Sequence, residues 1–238
     1  MNDWNLNLAE EALVPAAQAP AQARAIFIRK TYVHLLFAVL AFVGLETLVQ
    51  MTPAAQMMTQ TILGAGRFGY LIFILMFVGV SWVANSWARS AVSLSRQYMG
   101  LSLYVLAEVV VFAPLLFIAN VYYEGVIQDA AIFTMILFAG LTAVVFLTGK
   151  DFSFLGGILG IGMIAAVGFI VMSIIFGFNL PMLFTCLMIV LACGYILYET
   201  SNVLHVYNTK QHVAASLALF AAVALLFWYL LQLFMRRD

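Results

Sequence analysis

The stretch LSLYVLAEVVVFAPLLFIAN, from Leu101 to Asn120, decides the fold class, because it holds one charged side chain, Glu108, among 20 residues. A helix that crosses the ~30 Å hydrocarbon core of a bilayer needs about 20 mostly apolar residues, so this stretch is long enough to span it. The whole chain has the same character, since 66% of its 238 residues are hydrophobic and 8% are charged. Soluble domains are about 25% charged. The composition therefore predicts an all-α, polytopic membrane protein embedded in a lipid bilayer.

Seven apolar stretches are long enough to span a membrane. Their approximate bounds are Thr31–Met51, Gly69–Ala88, Met99–Ala119, Ala130–Thr148, Phe154–Gly177, Leu180–Tyr198 and Val213–Met235. The fifth and sixth stretches are almost continuous, and a turn around Pro181 separates them, because proline disrupts a helix interior but suits its first turn. The longest connection lies near Thr52–Phe68, which is too short for a soluble domain. We expect a seven-transmembrane-helix bundle over residues 25–238, with its function inside the bundle or on the short loops.

The first 24 residues have a different composition. The segment Met1–Gln22 contains Asp3, Glu10 and Glu11 but no Lys or Arg, so it lacks the basic start of a secretory signal. Residues 14–23, VPAAQAPAQA, are rich in Ala, Pro and Gln. This bias predicts a disordered cytoplasmic tail over residues 1–24.

The Lys and Arg residues of the short loops predict the orientation, because cytoplasmic loops carry an excess of them. Seven lie on one side of the predicted membrane and three on the other: Arg24, Arg29, Lys30, Arg89, Arg96, Lys150 and Lys210 against Arg67, Arg236 and Arg237. We predict a multi-pass protein of the cell (inner) membrane, with the N-terminus in the cytoplasm and the C-terminus outside.

Three glutamates lie within or at the ends of the predicted spans, where a charge costs a few kcal/mol. Glu108 is near the middle of the third span, six residues before Pro114. A carboxyl group at this depth is either a proton or cation site that faces the bundle interior, or a protonated group hydrogen-bonded to a neighbouring helix. Glu46 lies nearer the outer end of the first span, where it could reach headgroup water. Glu199 ends the sixth span, where we expect an interfacial carboxylate paired with Arg89.

Two other patterns predict structural roles. Asp151 precedes the fifth span, and we expect it to cap that helix. Gly156 and Gly160 are four residues apart, a spacing typical of closely packed membrane helices. Cys186 and Cys193 lie seven positions apart in one apolar stretch, which is about 10 Å along a helix and too far for a disulfide.

Several chemistries are excluded by the residues that they would need. A retinal Schiff base needs a lysine in the last span, but the last lysine of the chain, Lys210, lies in a loop. The histidines His34, His205 and His212 lie at span ends or in a loop, and the sequence contains no GxSG-type motif of a serine hydrolase. The sequence contains no HExxH zinc motif and no Walker A loop. Ten basic and ten acidic residues cancel, which argues against nucleic-acid binding. We expect no cofactor and no catalytic activity.

Three segments are similar to those of a known family. They are AIFIRKTYVHLLFAVL at residues 25–40, LTGKDFSFLGGIL at 147–159 and LACGYILYETSNVL at 191–204. All three resemble segments of the Bax inhibitor family, the transmembrane Bax-inhibitor-motif proteins. In the second, an acidic residue and a serine, here Asp151 and Ser153, precede a helix of small residues. The third segment contains the position of a family motif that usually reads Tyr-Asp-Thr, and Glu199 stands at the position of its aspartate.

The resemblance implies a seven-helix bundle around a central last helix, with a pH-sensitive calcium-leak activity. It also implies two aspartates, on the sixth and seventh spans, that close the cytoplasmic side of a pore and share a proton or bind calcium. Glu199 matches the first position, and Ala222 occupies the second. Three alternatives are open: Glu199 pairs with Arg89, another carboxylate such as Glu108 takes the missing role, or the pH-gated leak is lost.

A second class of function also follows from the resemblance. Some bacterial relatives look like modulators or substrates of membrane-bound proteases, so a non-transporting regulator that binds a membrane protease, or another membrane partner, is the alternative to ion transport. In that case the N-terminal tail would serve as the handle that the protease pulls. A small-solute transporter is a third class, but the sequence lacks the matched pair of broken helices of inverted-repeat transporters.

The predicted orientation can be tested with a reporter fused after Asp238. Because an odd number of spans places the two termini on opposite sides, we expect a reporter that is active only outside the cytoplasm to be active there. A reporter that is active only inside should be silent at the same position. The reverse pair of signals would show that the orientation is wrong.

Overall fold

The computed structural model describes residues 14–89 and 93–236, without the side chains of residues 67, 68 and 70. Within these ranges the fold is all-helical and contains no strand beyond a single-residue bridge. A 3-10 turn at Ala16–Gln18 precedes eight α-helices. They are α1 (Ala21–Gln50), α2 (Pro53–Gly64), α3 (Gly66–Ala88), α4 (Leu94–Tyr122), α5 (Val126–Thr148), α6 (Leu155–Phe176), α7 (Met182–His205) and α8 (His212–Met235).

Seven of these helices, all except α2, are long and apolar enough to cross a membrane. The seven-span prediction is therefore confirmed. The first helix begins at Ala21 rather than near Thr31, and the sixth span continues to His205 rather than ending near Tyr198. The helices extend past the apolar stretches because backbone hydrogen bonding continues through polar residues such as Arg24. The predicted bounds were shorter because they included only the apolar residues.

The longest predicted connection, near Thr52–Phe68, is mostly helix. It contains α2, which at 12 residues is about 18 Å long and too short to span a bilayer. The Thr52 side chain accepts a hydrogen bond from the Ala54 N–H, and Pro53 occupies the first helical position. A threonine cap followed by proline is a common helix start, so the signal was present in the sequence.

The predicted disordered tail, residues 1–24, extends into a region that the structure describes. Residues 1–13 lie outside the described residues, but residues 14–24 have a defined conformation. The Ala16 N–H donates to the Tyr207 carbonyl oxygen at 2.8 Å, and Pro15 forms an antiparallel bridge with Asn208. For these residues the prediction of disorder is wrong, because their order comes from contacts with a loop almost 200 positions away, which composition does not reveal.

The last helix, α8, lies at the centre of the bundle. In its most apolar stretch 72% of the residues are buried, against 11% to 44% in the other spans. It packs against α1, α3, α4, α5 and α7. Its buried face is rich in alanine, including Ala214, Ala215, Ala222 and Ala224, and small residues let membrane helices approach closely. The central last helix implied by the family resemblance is therefore present.

Glycines mark where helices come closest. A Cβ at Gly156 would lie 2.8 Å from the Tyr198 ring of α7, whereas one at Gly160 would meet nothing within 4 Å. The close-packing prediction thus holds for Gly156 and fails for Gly160. The tightest contact with a backbone is at Gly100 of α4, where a Cβ would lie 2.5 Å from the Ala84 carbonyl oxygen of α3.

We predict that Gly100→Ala destabilises the bundle, because the new methyl group would push α4 away from the backbone of α3. Overpacking of this kind costs about 1–3 kcal/mol, which should be visible as a lower thermal unfolding temperature in detergent. Gly140→Ala in α5 is the matched control, because a Cβ there meets nothing within 4 Å and alanine favours a helix. Equal effects of the two substitutions would contradict the close contact.

Candidate functional site

An acidic cavity lies between α3, α4, α6, α7 and α8. Its volume is about 430 Å³, and both Glu108 and Glu199 line it. Most of its wall is apolar, and the polar side chains that contribute to it include Asn85, Arg89, Tyr104, Glu108, Tyr195 and Glu199. Carboxylates from two different helices therefore face one space inside the bundle.

Glu108 is held in the interior by α4. Its side chain is 5% exposed, and the Tyr104 hydroxyl, one helical turn earlier, lies close enough to its carboxyl group to interact with it electrostatically. The ring of Tyr104 packs in turn against Phe77 and Phe220. The carboxyl thus faces the bundle interior and has a fixed polar neighbour. Its use as an ion or proton site stays a prediction.

Glu199 lies near the end of α7, and two side chains orient it. Its Oε2 atom accepts hydrogen bonds from Asn202 Nδ2 and from the Tyr207 hydroxyl, both at 3.3 Å. Burial raises the pKa of Tyr207 above the usual value of about 10, so this hydroxyl stays protonated and remains a donor. The sequence analysis missed both partners: Asn202 lies one helical turn after Glu199, a spacing that the sequence shows, whereas only the folded loop after α7 brings Tyr207 back to Glu199.

The predicted partner of Glu199, Arg89, ends α3 and lines the same cavity. It is close enough for electrostatic interaction with Glu199. The hydrogen bonds to Glu199 come from Asn202 and Tyr207 instead. Arg89 is thus a nearby counter-charge to the carboxylate.

Ala222, the position where the resemblance implies a second acidic residue, also lines the acidic cavity. A methyl group there contributes neither charge nor a ligand. Glu108 is the second carboxylate that the structure brings to this space. A sequence cannot show this, because the position of Glu108 relative to α7 depends on how α4 and α7 pack around α8.

Glu46 lies apart from the acidic cavity and is 4% exposed. Among the described residues, it lines neither of the two cavities. Gln50 donates to Glu46 Oε2 at 3.4 Å and to the Ala113 carbonyl oxygen of α4 at 3.0 Å. The expectation that Glu46 reaches headgroup water is therefore wrong, because α4 packs against α1 at this level.

A second cavity, of about 240 Å³, lies among α2, α3, α4 and α8. Its lining is almost entirely apolar. Phe77, Val111 and Trp228 line both this cavity and the acidic cavity. These three side chains form an apolar wall between the two spaces.

Asp151 does not cap the fifth predicted span. That helix, α6, begins at Leu155 without a side-chain cap. The Asp151 Oδ1 atom instead accepts the Ser153 N–H at 2.8 Å and the Ser201 hydroxyl at 3.2 Å. The Ser153 N–H is the main reason that the pKa of Asp151 is lowered. Asp151 therefore fastens the loop between α5 and α6 to the end of α7.

The loop contact brings together the residue types of a hydrolytic triad, Asp151, Ser201 and His205, but their hydrogen bonds are arranged differently. The aspartate accepts from the serine, and His205 Nδ1 lies 3.4 Å from the Ser201 oxygen. In a triad the aspartate orients the histidine instead. Ser201 is also fully buried, so the group has a docking role.

The segments that carry the family resemblance meet in this arrangement, since residues 147–159 and 191–204 are joined through Asp151 and Ser201. The family model described as inhibitor of apoptosis-promoting Bax1 matches residues 24–238. The chain belongs to the Bax inhibitor family. The resemblance noted in the sequence is thereby confirmed, and this Bax inhibitor family member is a helical membrane protein with seven candidate spans.

Relatives of this Bax inhibitor family member occur in plants, fungi and bacteria. Protein LIFEGUARD 4 of Arabidopsis thaliana is 29% identical over 232 residues, covering 94% of this chain and 90% of the relative. Bax inhibitor 1 of Schizosaccharomyces pombe is 27% identical, covering 92% of this chain and 79% of the relative. An uncharacterised protein of Pseudomonas aeruginosa is 28% identical and covers 87% of each chain.

We predict that Asp151→Ala lowers the free energy of unfolding of this Bax inhibitor family protein by about 1 kcal/mol, the usual contribution of a hydrogen bond. Asp151→Asn keeps the acceptor oxygen and should retain most of that stability. The pKa of Asp151 is lower in the folded state than in the unfolded state. The stabilisation by its charged form is therefore fully present above the unfolded-state pKa of about 3.9. It is lost as the pH falls through the folded-state pKa. Thermal unfolding in detergent at pH 7 measures the effect, and equal losses for the two variants would contradict it.

Proposed function

We propose that this protein passes cations across the membrane through its helix bundle, and that the acidic cavity is the binding site on the route. The observation that carries the proposal is that Glu108 and Glu199, from two different helices, line one cavity. Acidic groups inside a membrane domain are costly and commonly mark ion or proton pathways. The proposed activity is transport and involves no catalysis.

The cavity chemistry suits calcium ions and protons. Calcium takes oxygen ligands, with six to eight in a full set, and two carboxylates with nearby tyrosine hydroxyls and water are of that type. Carboxylates also accept and release protons. Since Ala222 provides no ligand, we assign the role of second carboxylate to Glu108. Conduction requires that a bound ion can also leave, so we expect weak binding at this site.

Arg89 sets the charge balance of the proposed site. Its guanidinium lines the cavity beside Glu199, so an arriving cation competes with a tethered positive charge. A cation bound between the two carboxylates would therefore repel Arg89. This competition would keep a resting cavity free of cations until the arginine moves.

The apolar wall explains how the route would be closed. Phe77, Val111 and Trp228 separate the acidic cavity from the second, apolar cavity. Hydrophobic constrictions block ions because water and its dissolved ions leave them. Permeation would then need these side chains to move apart.

Calcium flux into liposomes that contain the purified protein tests the proposal. We expect flux above that of protein-free liposomes, and we expect Glu199→Gln and Glu108→Gln each to reduce it about tenfold, which corresponds to 1.4 kcal/mol of lost cation interaction. Arg89→Gln should raise cation affinity. Glu124→Gln is the matched control, because Glu124 is an exposed residue in the turn between α4 and α5.

Absence of flux with correctly folded protein would overturn the transport proposal. The alternative from the sequence, a regulator that binds a membrane protease, would then become the leading hypothesis. Flux that both glutamate variants retain would instead move the pathway away from the acidic cavity.

A further inference from the structure

Tyr207, in the loop between α7 and α8, is held at three points. Its carbonyl oxygen accepts the Ala16 N–H at 2.8 Å, and its own N–H donates to the Asn202 carbonyl oxygen at 2.9 Å. Its hydroxyl donates to Glu199 Oε2 at 3.3 Å. This single residue therefore connects the start of the described chain to a carboxylate of the acidic cavity.

Residues 14–18, here called the strap, form the other side of this connection. Ala16 is fully buried and belongs to the same hydrophobic cluster as Tyr207. Pro15 forms the antiparallel bridge with Asn208, and the 3-10 turn of the strap contacts both α1 and α7. The strap thus binds the loop through backbone hydrogen bonding and through a buried methyl group.

The remaining hydrogen bonds of the loop are local. Asn208 N–H donates to Gln211 Oε1, and Lys210 N–H donates to Asn208 Oδ1. Such bonds shape the loop but do not fix its position relative to the first helix. The strap provides that longer-range link.

The strap is not part of the α1 helix, so its separation from the bundle would not require α1 to unfold. Ala19 and Pro20 have extended backbone conformations, with ψ of 153° and 142°. They join the strap to α1 as a short linker and not as a continuation of the helix.

We propose that the strap is an inhibitory contact: it holds Tyr207 against Glu199, keeps that carboxylate engaged in a hydrogen bond and so limits cation binding in the acidic cavity. Release of the strap lets the loop withdraw, and Glu199 loses the Tyr207 donor. The inference rests on the proposed cation transport, and it identifies the segment that regulates it.

Two truncations in proteoliposomes test the strap. Deletion of residues 2–18 removes it, and deletion of residues 2–13 is the matched control that leaves it in place. We expect calcium flux to rise at least fivefold in the first and to stay at the wild-type level in the second. Glu199→Gln added to the longer deletion should abolish the rise.

Single substitutions test the same contact without shortening the chain. Ala16→Asp places a charge in the buried position and should detach the strap, which gives the same rise in flux. Tyr207→Phe removes the hydroxyl that reaches Glu199, so it should raise flux too. When Tyr207→Phe is combined with deletion of residues 2–18, the rise should be no larger than that of either change alone.

Hydrogen–deuterium exchange of peptides that cover residues 206–211 reports release of the loop without reference to transport. We expect faster exchange with the strap deleted or with Ala16→Asp, and no change with residues 2–13 deleted. If the strap variants exchange faster but their calcium flux stays at the wild-type level, the inhibitory role alone would be overturned. Absence of flux from the wild type and from every strap variant would overturn the transport proposal, and the inhibitory role with it.

Discussion

The close packing of five helices around α8 is the constraint on which the rest of this structure depends. In a bilayer the lipid tails are as apolar as the side chains, so helices associate through close van der Waals contact. The alanine-rich face of α8 allows that contact. Where the packing around α8 leaves space, the acidic cavity forms, and Ala222 is part of its wall.

The placement of polar groups follows from the same constraint. A carboxylate inside the bundle needs polar neighbours: Gln50 donates to Glu46, Asn202 and Tyr207 donate to Glu199, and the Tyr104 hydroxyl lies beside Glu108. Only Glu108 and Glu199 reach a common space. Glu46 instead accepts from Gln50, which in turn links α1 to α4, so three chemically similar residues have different surroundings.

Polar contacts join distant segments at both ends of the bundle; away from the strap, Gln50 donates to the Ala113 carbonyl oxygen and Arg236 to the Leu180 carbonyl oxygen. On the side of the strap, polar contacts link distant segments: Asp151 with Ser201, His34 with Tyr98, and Ala16 with Tyr207. Toward the other side, the acidic cavity ends at the apolar wall of Phe77, Val111 and Trp228. The apolar wall thus separates the two cavities, while the polar contacts fix the helix ends.

The sequence by itself determined the membrane class, the seven spans, the family and the identity of the acidic residues, because apolar length and local motifs are properties of contiguous residues. The start of α2 at Thr52 and Pro53 was also a local signal, but the order of residues 14–24 and the docking role of Asp151 were not. Only the tertiary structure decided that Glu108 and Glu199 share a cavity while Glu46 does not, and that Tyr207 joins Glu199 to the strap. These relations depend on the packing of helices distant in the sequence, which no local pattern encodes.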